Sequence, residues 1–465
     1  MRRLGKQPGF PGRTVRLWWL VGIVILGPGA GCLVASDPPP GIVFLYADDA
    51  GYADFGFQPA VRDDMRHLTP HIDSLARDGA RFSSAYMSAS VCSPSRAGLM
   101  TGRYQQRFGH DNNIPPGYMR GGLPLSETFV ARRLHDLGYA TGLVGKWHLG
   151  YPEEYHPNER GFGFFYGCLQ GSRSYFPIDQ PSPHRVFLEN REPTPEGGYT
   201  TDRIGEAACR FVREHADQPF FLFVSFTAPH GPMQAKPEDL ELLSGIKPTR
   251  RHKYAGLVKA LDDNCGKILE CLEETGVADH TLVIFTNDNG GQTQTGADNF
   301  PLQGRKGTLW EGGIRVPMAA RWPGVITPGS VIDDPVISLD WLPTFVEASG
   351  NPVAGQWQLD GVSLLDRLQG TVDRLPERTL FWRRHGQSVA ARRGDWKMID
   401  LREGTDSVPR LYHLGEDIGE TEDRSDEHPE ILQQLQDQTR AWESELGRPR
   451  WGMGAGNRGK SEAGR

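Results

Sequence analysis

The chain has 465 residues, of which 38% are hydrophobic and 23% are charged, and its formal net charge is −7. This composition excludes an intrinsically disordered chain and supplies enough apolar side chains for a sizeable core in two or three domains. The negative balance disfavours a nucleic-acid-binding protein, since such proteins present basic surfaces.

The first 35 residues have the pattern of an export signal. A charged start precedes the apolar run Leu17–Leu26, which is shorter than the roughly 20 residues that a membrane-spanning helix needs. We expect cleavage after Ala35, with lipidation of Cys32 or an uncleaved anchor as alternatives, and a periplasmic or extracellular protein that touches a membrane only in these ways. Cleavage would change the net charge from −7 to −12, so an anionic ligand needs local cationic groups or a metal.

Two strongly apolar segments, 41–47 and 281–286, end in acidic and amide residues. Both read as fully buried strands, and the carboxyl ends of parallel strands meet at one edge of a sheet, where ligands bind. Carboxylates gathered there repel each other unless a cation lies among them, and oxygen ligands suit Ca²⁺ or Mg²⁺ better than zinc. Taken singly, each segment is as well explained by a helix cap or a turn. Asp48 and Asp49 follow the first segment, and Asn287, Asp288 and Asn289 follow the second.

Cationic side chains occupy comparable places elsewhere. Lys146 and His148 end another apolar run, and residues two apart in an extended segment project to the same side. His230 follows a run rich in phenylalanine, although a structural histidine is the simpler interpretation of that residue alone. Lys306 lies between glycines, so its ammonium can approach a buried anion closely.

The run CSPSRAGLMTGR begins at Cys92. Pro94 suits the first turn of a helix and Ser93 suits its cap, which would place residue 92 at the electropositive start of the helix. That end favours an anion. A lone buried cysteine is ordinarily a small hydrophobic residue, so the interpretation depends on the neighbouring residues.

Three motifs carry a family resemblance: Cys-x-Pro-x-Arg at 92–96, Lys-x-His at 146–148 and Lys-Gly-x-x-x-Glu-Gly-Gly at 306–313. With them the chain resembles the formylglycine-dependent sulfatases of the alkaline-phosphatase-like superfamily, of the bacterial exported arylsulfatase and polysaccharide-sulfatase type. The resemblance covers about residues 40–424. It implies an α/β fold in which helices enclose a large mixed, mainly parallel sheet, with a smaller C-terminal α+β subdomain that carries a short antiparallel sheet.

The resemblance also implies hydrolysis of sulfate esters. In the family a formylglycine-generating or anaerobic sulfatase-maturating enzyme oxidises the motif cysteine, here Cys92, to 3-oxoalanine (formylglycine). The hydrated aldehyde attacks sulfur, and a covalent sulfate precedes the release of inorganic sulfate. The metal would be Ca²⁺, with Mg²⁺ as the second choice. Its ligands would be Asp48, Asp49, Asp288 and Asn289.

The resemblance also implies a role for each residue that matches a family motif. Arg96 and Lys146 would steady the modified residue, and His148 would be the base that assists elimination. His230, as proton donor, and Lys306 would face the leaving-group oxygen. The expected substrate is a sulfated polysaccharide or oligosaccharide. The alternatives are a phosphate or phosphonate ester hydrolase of the same superfamily and a catalytically silent surface protein that binds sulfated glycans.

The remaining sequence predicts the domain organisation. We expect a catalytic domain over 36–355, a C-terminal subdomain over 356–450 and a disordered tail over 451–465. Short strand-like runs at 379–382, 388–392, 396–399 and 410–414 precede a helix at about 429–446. The other cysteines of the mature chain form no dense framework, and their spacing does not pair them. They are Cys168, Cys209, Cys265 and Cys271.

Overall fold

The computed structural model describes residues 38–402 and 408–455. The predicted export signal, including Cys32, and residues 456–465 of the predicted tail lie outside these ranges. The described residues from Pro39 onward form one compact unit. No described helix is both long and apolar enough to cross a membrane.

The strands of the described chain are β1 (Gly41–Ala47), β2 (Ala80–Phe82), β3 (Ala85–Tyr86), β4 (Ala140–Lys146), β5 (Phe164–Cys168), β6 (Leu188–Glu189), β7 (Glu192–Pro193), β8 (Phe220–Ser225), β9 (Thr281–Asn287), β10 (Met318–Arg321), β11 (Ser330–Ile332), β12 (Val336–Ile337), β13 (Thr379–Arg384), β14 (Ser388–Arg393), β15 (Trp396–Asp400) and β16 (Arg410–His413). Its α-helices are α1 (Pro70–Arg77), α2 (Cys92–Thr101), α3 (Val130–Asp136), α4 (Thr200–Glu214), α5 (Pro237–Leu242), α6 (Thr249–Glu274), α7 (Glu311–Ile314), α8 (Trp341–Ala348), α9 (Leu365–Leu368) and α10 (Pro429–Ser444).

One large sheet organises the fold. Its strand order is β11-β2-β10-β9-β1-β8-β4-β5-β6-β7. The five central strands from β9 to β5 are parallel, and antiparallel pairs flank them on both sides. Every position of β1, β8 and β9 is buried, because helices cover both faces of the sheet, and this explains the unbroken apolar runs in their sequences.

The two faces of the sheet carry separate hydrophobic cores. On one face α4 and α6 pack over Val43, Leu45 and Val224, and on the other face α8 covers Phe44 with Trp341. Side chains that alternate along β1 therefore enter different cores, as the two-residue repeat of a strand requires. The α/β class and the mainly parallel sheet are confirmed.

The smaller antiparallel sheet has the order β13-β14-β15-β16. Its strands lie at the four runs expected from the sequence, and α10 packs on it through Leu435. The predicted C-terminal sheet and helix are thus confirmed, whereas the boundary at residue 355 stays a prediction.

The first residue of the predicted tail is packed. Trp451 is buried, its ring lies edge-on to His110 with 4.7 Å between the centroids, and its indole N–H donates to the carbonyl of Asn112. An indole held in this way buries a large apolar surface. The ordered part of the chain therefore extends at least to Trp451.

Candidate active site

Strand register brings four predicted metal ligands together. Ala47 at the end of β1 lies beside Asn287 at the end of β9, so the residues that follow meet at the carboxyl edge of the sheet. The backbone N–H of Asp49 donates to Asp288 Oδ1 at 3.3 Å, and the amide of Asn289 donates to Asp49 Oδ1 at 2.9 Å. Asp49 has a left-handed backbone with φ of 70°, which is uncommon for a residue other than glycine.

The predicted nucleophile position opens a helix at the same edge. Helix α2 begins at Cys92 itself, with Val91 as its N-cap, so the expectation that Ser93 caps the helix is wrong. Ser93 is instead helical, and its hydroxyl contacts His110 at 2.7 Å. Residue 92 still lies in the first turn. Its thiol donates to Asp48 Oδ1 at 3.6 Å, and burial raises the pKa of Cys92 to about 12. The thiol is therefore protonated and a poor nucleophile.

Arg96 connects helix α2 to residues at the ends of neighbouring strands. Its guanidinium donates to the backbone carbonyl of Lys146 at 3.1 Å and to the hydroxyl of Ser225, and it faces Asp288 Oδ2 at 3.4 Å. The guanidinium carbon also lies 5.1 Å from the ring centroid of Tyr46. The sequence analysis missed Ser225 and Tyr46. Their position at strand ends beside predicted site residues is the signal that could have identified them.

Two lysines neutralise the acidic pair. The ammonium of Lys146 lies 2.5 Å from Asp48, and that of Lys306 lies 2.6 Å from Asp49. Although burial opposes it, Lys146 holds the pKa of Asp48 well below its usual range. Lys306 also donates to the sulfur of Cys92 at 3.3 Å, so it bridges the acidic pair and the nucleophile position.

His148 lies just beyond Lys146. The ring is buried, and in the described chain its Nδ1 has no hydrogen-bond partner. Burial, followed by the charge of Lys146, lowers the pKa of His148 well below its ordinary value. A Cβ added to Gly171 would come within 2.4 Å of the imidazole, so only glycine there leaves room for the ring. The imidazole is consequently neutral and able to accept a proton.

His230 is the more accessible histidine, with 24% of its side chain exposed. Its Nδ1 donates to the carbonyl of Gly231 at 2.7 Å, and this bond leaves Nε2 facing Asp49 Oδ2 at 3.6 Å. The carbonyl accepts only, so Nδ1 carries a hydrogen and Nε2 is the atom free to exchange a proton. Contacts of 3.9 Å or less thus connect every predicted site residue except His148, which lies beside Lys146.

The cluster can hold a cation. Ligand atoms of Asp48, Asp49, Cys92 and His230 all lie within 4.8 Å of one another. Asp48 and Asp49 belong both to this set and to the predicted ligands. The remaining predicted ligands, Asp288 and Asn289, contact Asp49 directly. Burial and the charge of Asp48 raise the pKa of Asp288 to about 7, as expected for crowded carboxylates. The Oδ1 of Asn289 is buried without a hydrogen-bond donor among the described residues, and such an oxygen suits a metal ligand.

A second buried ionic cluster supports the segment that carries Lys306. Lys397 of β15 lies 2.9 Å from Glu311 and 2.7 Å from Glu420, and it donates to the carbonyl of Leu309 at 2.9 Å. Arg315 is buried and pairs with Glu311 at 3.1 Å. The C-terminal sheet therefore holds the 306–315 segment through charge.

Known proteins resemble most of the chain. The family model described as Sulfatase matches residues 40–351. Human (Homo sapiens) N-acetylgalactosamine-6-sulfatase is 33% identical over 435 residues, which cover 82% of this chain and 81% of that protein. Mouse (Mus musculus) Arylsulfatase J is 32% identical over 350 residues, which cover 73% of this chain but only 57% of that longer protein.

Solved structures agree. The crystal structure of Ps i-CgsB in complex with k-i-k-neocarrahexaose matches with a TM-score of 0.82 at 35% identity, covering 89% of this chain and 94% of that chain. PsFucS1 sulfatase from Pseudoalteromonas sp. matches with a TM-score of 0.75 at 24% identity, covering 88% and 90%, and shares the fold. The family model spans the large-sheet region and helix α2. The chain therefore belongs to the sulfatase family of sulfuric ester hydrolases.

Proposed function

We propose that the protein removes sulfate from a sulfated polysaccharide or oligosaccharide by means of a formylglycine made from Cys92. The observation that best supports this proposal is the local environment of Cys92. Its sulfur lies in the first turn of a buried helix, 3.3 Å from Lys306 Nζ and 3.6 Å from Asp48 Oδ1. A sulfate ester needs a strong nucleophile and neutralisation of its charged oxygens, and position 92 faces the groups for both.

The residues around position 92 fit the modified side chain. A hydrated aldehyde supplies two hydroxyls on one carbon, the first for attack on sulfur and the second for release of sulfate. Arg96 fixes α2 to β4 and to Asp288, which keeps residue 92 in place. Lys146 and Lys306 place positive charge beside the same atoms, where it stabilises negative charge on sulfuryl oxygens.

The acidic residues fit Ca²⁺, with Mg²⁺ as the second choice. Asp48, Asp49, Asp288 and Asn289 would hold the ion through oxygen atoms, the ligands that both cations prefer. A cation held there would supply positive charge that polarises a sulfate oxygen. Support comes from the crowded carboxylates and from the unpaired Oδ1 of Asn289 within the described chain.

The two histidines fit different proton transfers. Burial and the charge of Lys146 lower the pKa of His148, which leaves the ring unprotonated, as a proton acceptor must be, and the proposal gives it the proton of a hydroxyl at position 92. His230 is partly exposed and presents Nε2 beside Asp49, so it can give a proton to the leaving oxygen as that group departs towards solvent. This division of roles follows from the different burial of the two rings.

The carbohydrate substrate is supported by the relatives. One is named for N-acetylgalactosamine 6-sulfate, and another was crystallised with a neocarrahexaose. The remaining parts of the proposal are export of the chain and modification of Cys92 by a formylglycine-generating or anaerobic sulfatase-maturating enzyme. Export rests on residues 1–35, which lie outside the described ranges.

Mass spectrometry and sulfate release test the proposal together. Protein produced with a formylglycine-generating enzyme should carry the aldehyde in the tryptic peptide from Phe82 to Arg96, while the peptide that contains Cys265 keeps its thiol. The same protein should release sulfate from an aryl sulfate and from members of a sulfated-glycan panel. Cys92→Ser should be nearly inactive. Full turnover by Cys92→Ser, or by protein with an unmodified thiol, would contradict the covalent scheme.

A further inference from the structure

A large open cleft lies outside the residues assigned to chemistry. Its volume is 1060 Å³, and segments 60–64, 247–251 and 293–300 form its walls. The first segment follows β1, the second starts helix α6, and the third follows β9. Three separate parts of the chain therefore build this cleft, and none of the residues given a catalytic or metal-binding role lines it.

The cleft adjoins the active site. The backbone N–H of Gln292 donates to the carbonyl of Asp49 at 3.3 Å, and the cleft wall begins at the next residue, Thr293. At the start of α6, the hydroxyl of Tyr254 accepts from the backbone N–H of Gly51, three residues after Asp48. Two hydrogen bonds therefore connect the segments that build the cleft to the segment that carries Asp48 and Asp49.

Two basic side chains of the cleft form no ion pair with the carboxylates of its walls. Its carboxylates already have partners: Asp64 pairs with Arg251 at 2.8 Å, and Asp298 pairs with Arg62 at 3.0 Å. The third carboxylate, Asp63, faces Arg66 at 2.8 Å. Two exposed basic residues have no acidic partner among the described residues. These are Lys247 and Arg250.

An aromatic ring lies in the same cleft. Phe300 is 53% exposed, which is high for a large apolar side chain, and it lines the same cleft as Lys247 and Arg250. Arg62 covers one part of the ring at 5.3 Å from its centroid. An exposed ring beside cationic groups provides an apolar surface for the C–H face of a sugar and donors for its anionic substituents.

We propose that this cleft binds a second sulfated sugar of the substrate chain, adjacent to the sugar that is desulfated. Lys247 and Arg250 bind its sulfate, and Phe300 packs against its ring. The inference rests on the proposed carbohydrate substrate. It adds that the protein prefers a chain with several sulfates over a small monosulfated ester, because only the longer molecule reaches both the active site and the cleft.

Binding can be measured without turnover. The full chain with an unmodified Cys92 is titrated by calorimetry with a short dextran sulfate oligosaccharide and with unsulfated dextran as the neutral probe. Lys247→Ala/Arg250→Ala should weaken dextran sulfate binding by about tenfold or more, since each lost bond to a charged group is worth more than a typical neutral one. Adding Phe300→Ala to this double variant should weaken dextran sulfate binding further. Lys253→Ala/Lys267→Ala removes the same charge from exposed positions of α6 outside the cleft and should bind as the wild type does.

Two outcomes would overturn the proposal that the cleft binds a sulfated sugar. One is unchanged dextran sulfate binding by Lys247→Ala/Arg250→Ala, and the other is equal weakening by the two double variants, which indicates non-specific attraction. The replaced side chains are exposed, so unchanged thermal melting of each variant verifies folding. Failure of the proposed function would look different: the modified protein would not hydrolyse an aryl sulfate, whatever the calorimetry shows.

Discussion

The buried contact between the C-terminal sheet and the 306–315 segment gives a sharp stability prediction. Lys397 is fully buried and touches two carboxylates, Glu311 at 2.9 Å and Glu420 at 2.7 Å. Lys397→Met keeps the length of the side chain but leaves the carboxylates without their shared ammonium. Breaking a buried ion pair by removing one partner costs about 3–5 kcal/mol, and we expect this loss in the free energy of unfolding.

A double variant separates charge from packing. Arg315 still pairs with Glu311 at 3.1 Å when Lys397 is replaced, so the uncompensated charge is mainly that of Glu420. Lys397→Met/Glu420→Gln removes that charge and should be more stable than Lys397→Met alone. Additive losses in the two single variants would refute the electrostatic explanation, because neighbouring groups that share a charge are coupled.

The assay is urea denaturation followed by circular dichroism, with aryl sulfate hydrolysis as a second readout. Lys259→Met is the matched control: its ammonium lies 2.7 Å from Asp263, but both side chains are partly exposed. A pair of this kind contributes about 0.3–0.5 kcal/mol, so the control should lose little stability. If Lys397→Met unfolds at the same urea concentration as the control, the buried cluster does not stabilise the fold as reasoned.

Further predictions concern pH, the buried base and the metal. Burial raises the pKa of Glu420 to about 7 from an ordinary 4.5, so the folded state binds a proton more tightly than the unfolded chain. Wild-type stability should therefore fall, relative to Glu420→Gln, as pH rises from 4.5 to 7, and parallel pH profiles in urea denaturation would contradict this. Gly171→Ala should displace the His148 ring and reduce kcat by about a hundredfold with melting nearly unchanged, as measured by aryl sulfate kinetics; unaltered kcat would argue against His148 as the base. Ca²⁺ at a hundredfold excess over its Kd should add about 2.7 kcal/mol to the free energy of unfolding, and Asp288→Asn should reduce this gain; equal stability with Ca²⁺ and with chelator would contradict a cation site.

Much of the active site is readable from the sequence because strand ends impose proximity. Apolar runs with buried positions identify β1, β8 and β9, and parallel pairing then brings Asp48, Asp288 and His230 to one edge. The motif spacing adds Cys92 and Lys146. The same reasoning succeeds for the C-terminal sheet, whose short runs are separated by turns.

Other features depend on contacts that local patterns do not encode. The bond from Arg96 to Ser225 joins residues 129 apart in sequence, and the Lys397–Glu311 pair joins residues 86 apart. The residues next to Lys397 and Glu311 in sequence give no sign of that pairing, whereas the strand-end position of Ser225 is a signal for that residue. The start of α2 was misplaced because Ser93 is a favourable cap in isolation, whereas in the fold its hydroxyl contacts His110.

The complete burial of α2 limits when its side chains are accessible to another enzyme. Every residue from Cys92 to Thr101 is buried, including Pro94 and Arg96 of the motif. An enzyme that recognises those side chains needs them outside the fold, and exposure from the native state requires unfolding of a core element, which has a high free-energy cost. If Cys92 is modified as proposed, that modification competes with folding, and the rate at which α2 docks should set the fraction of chains that become active.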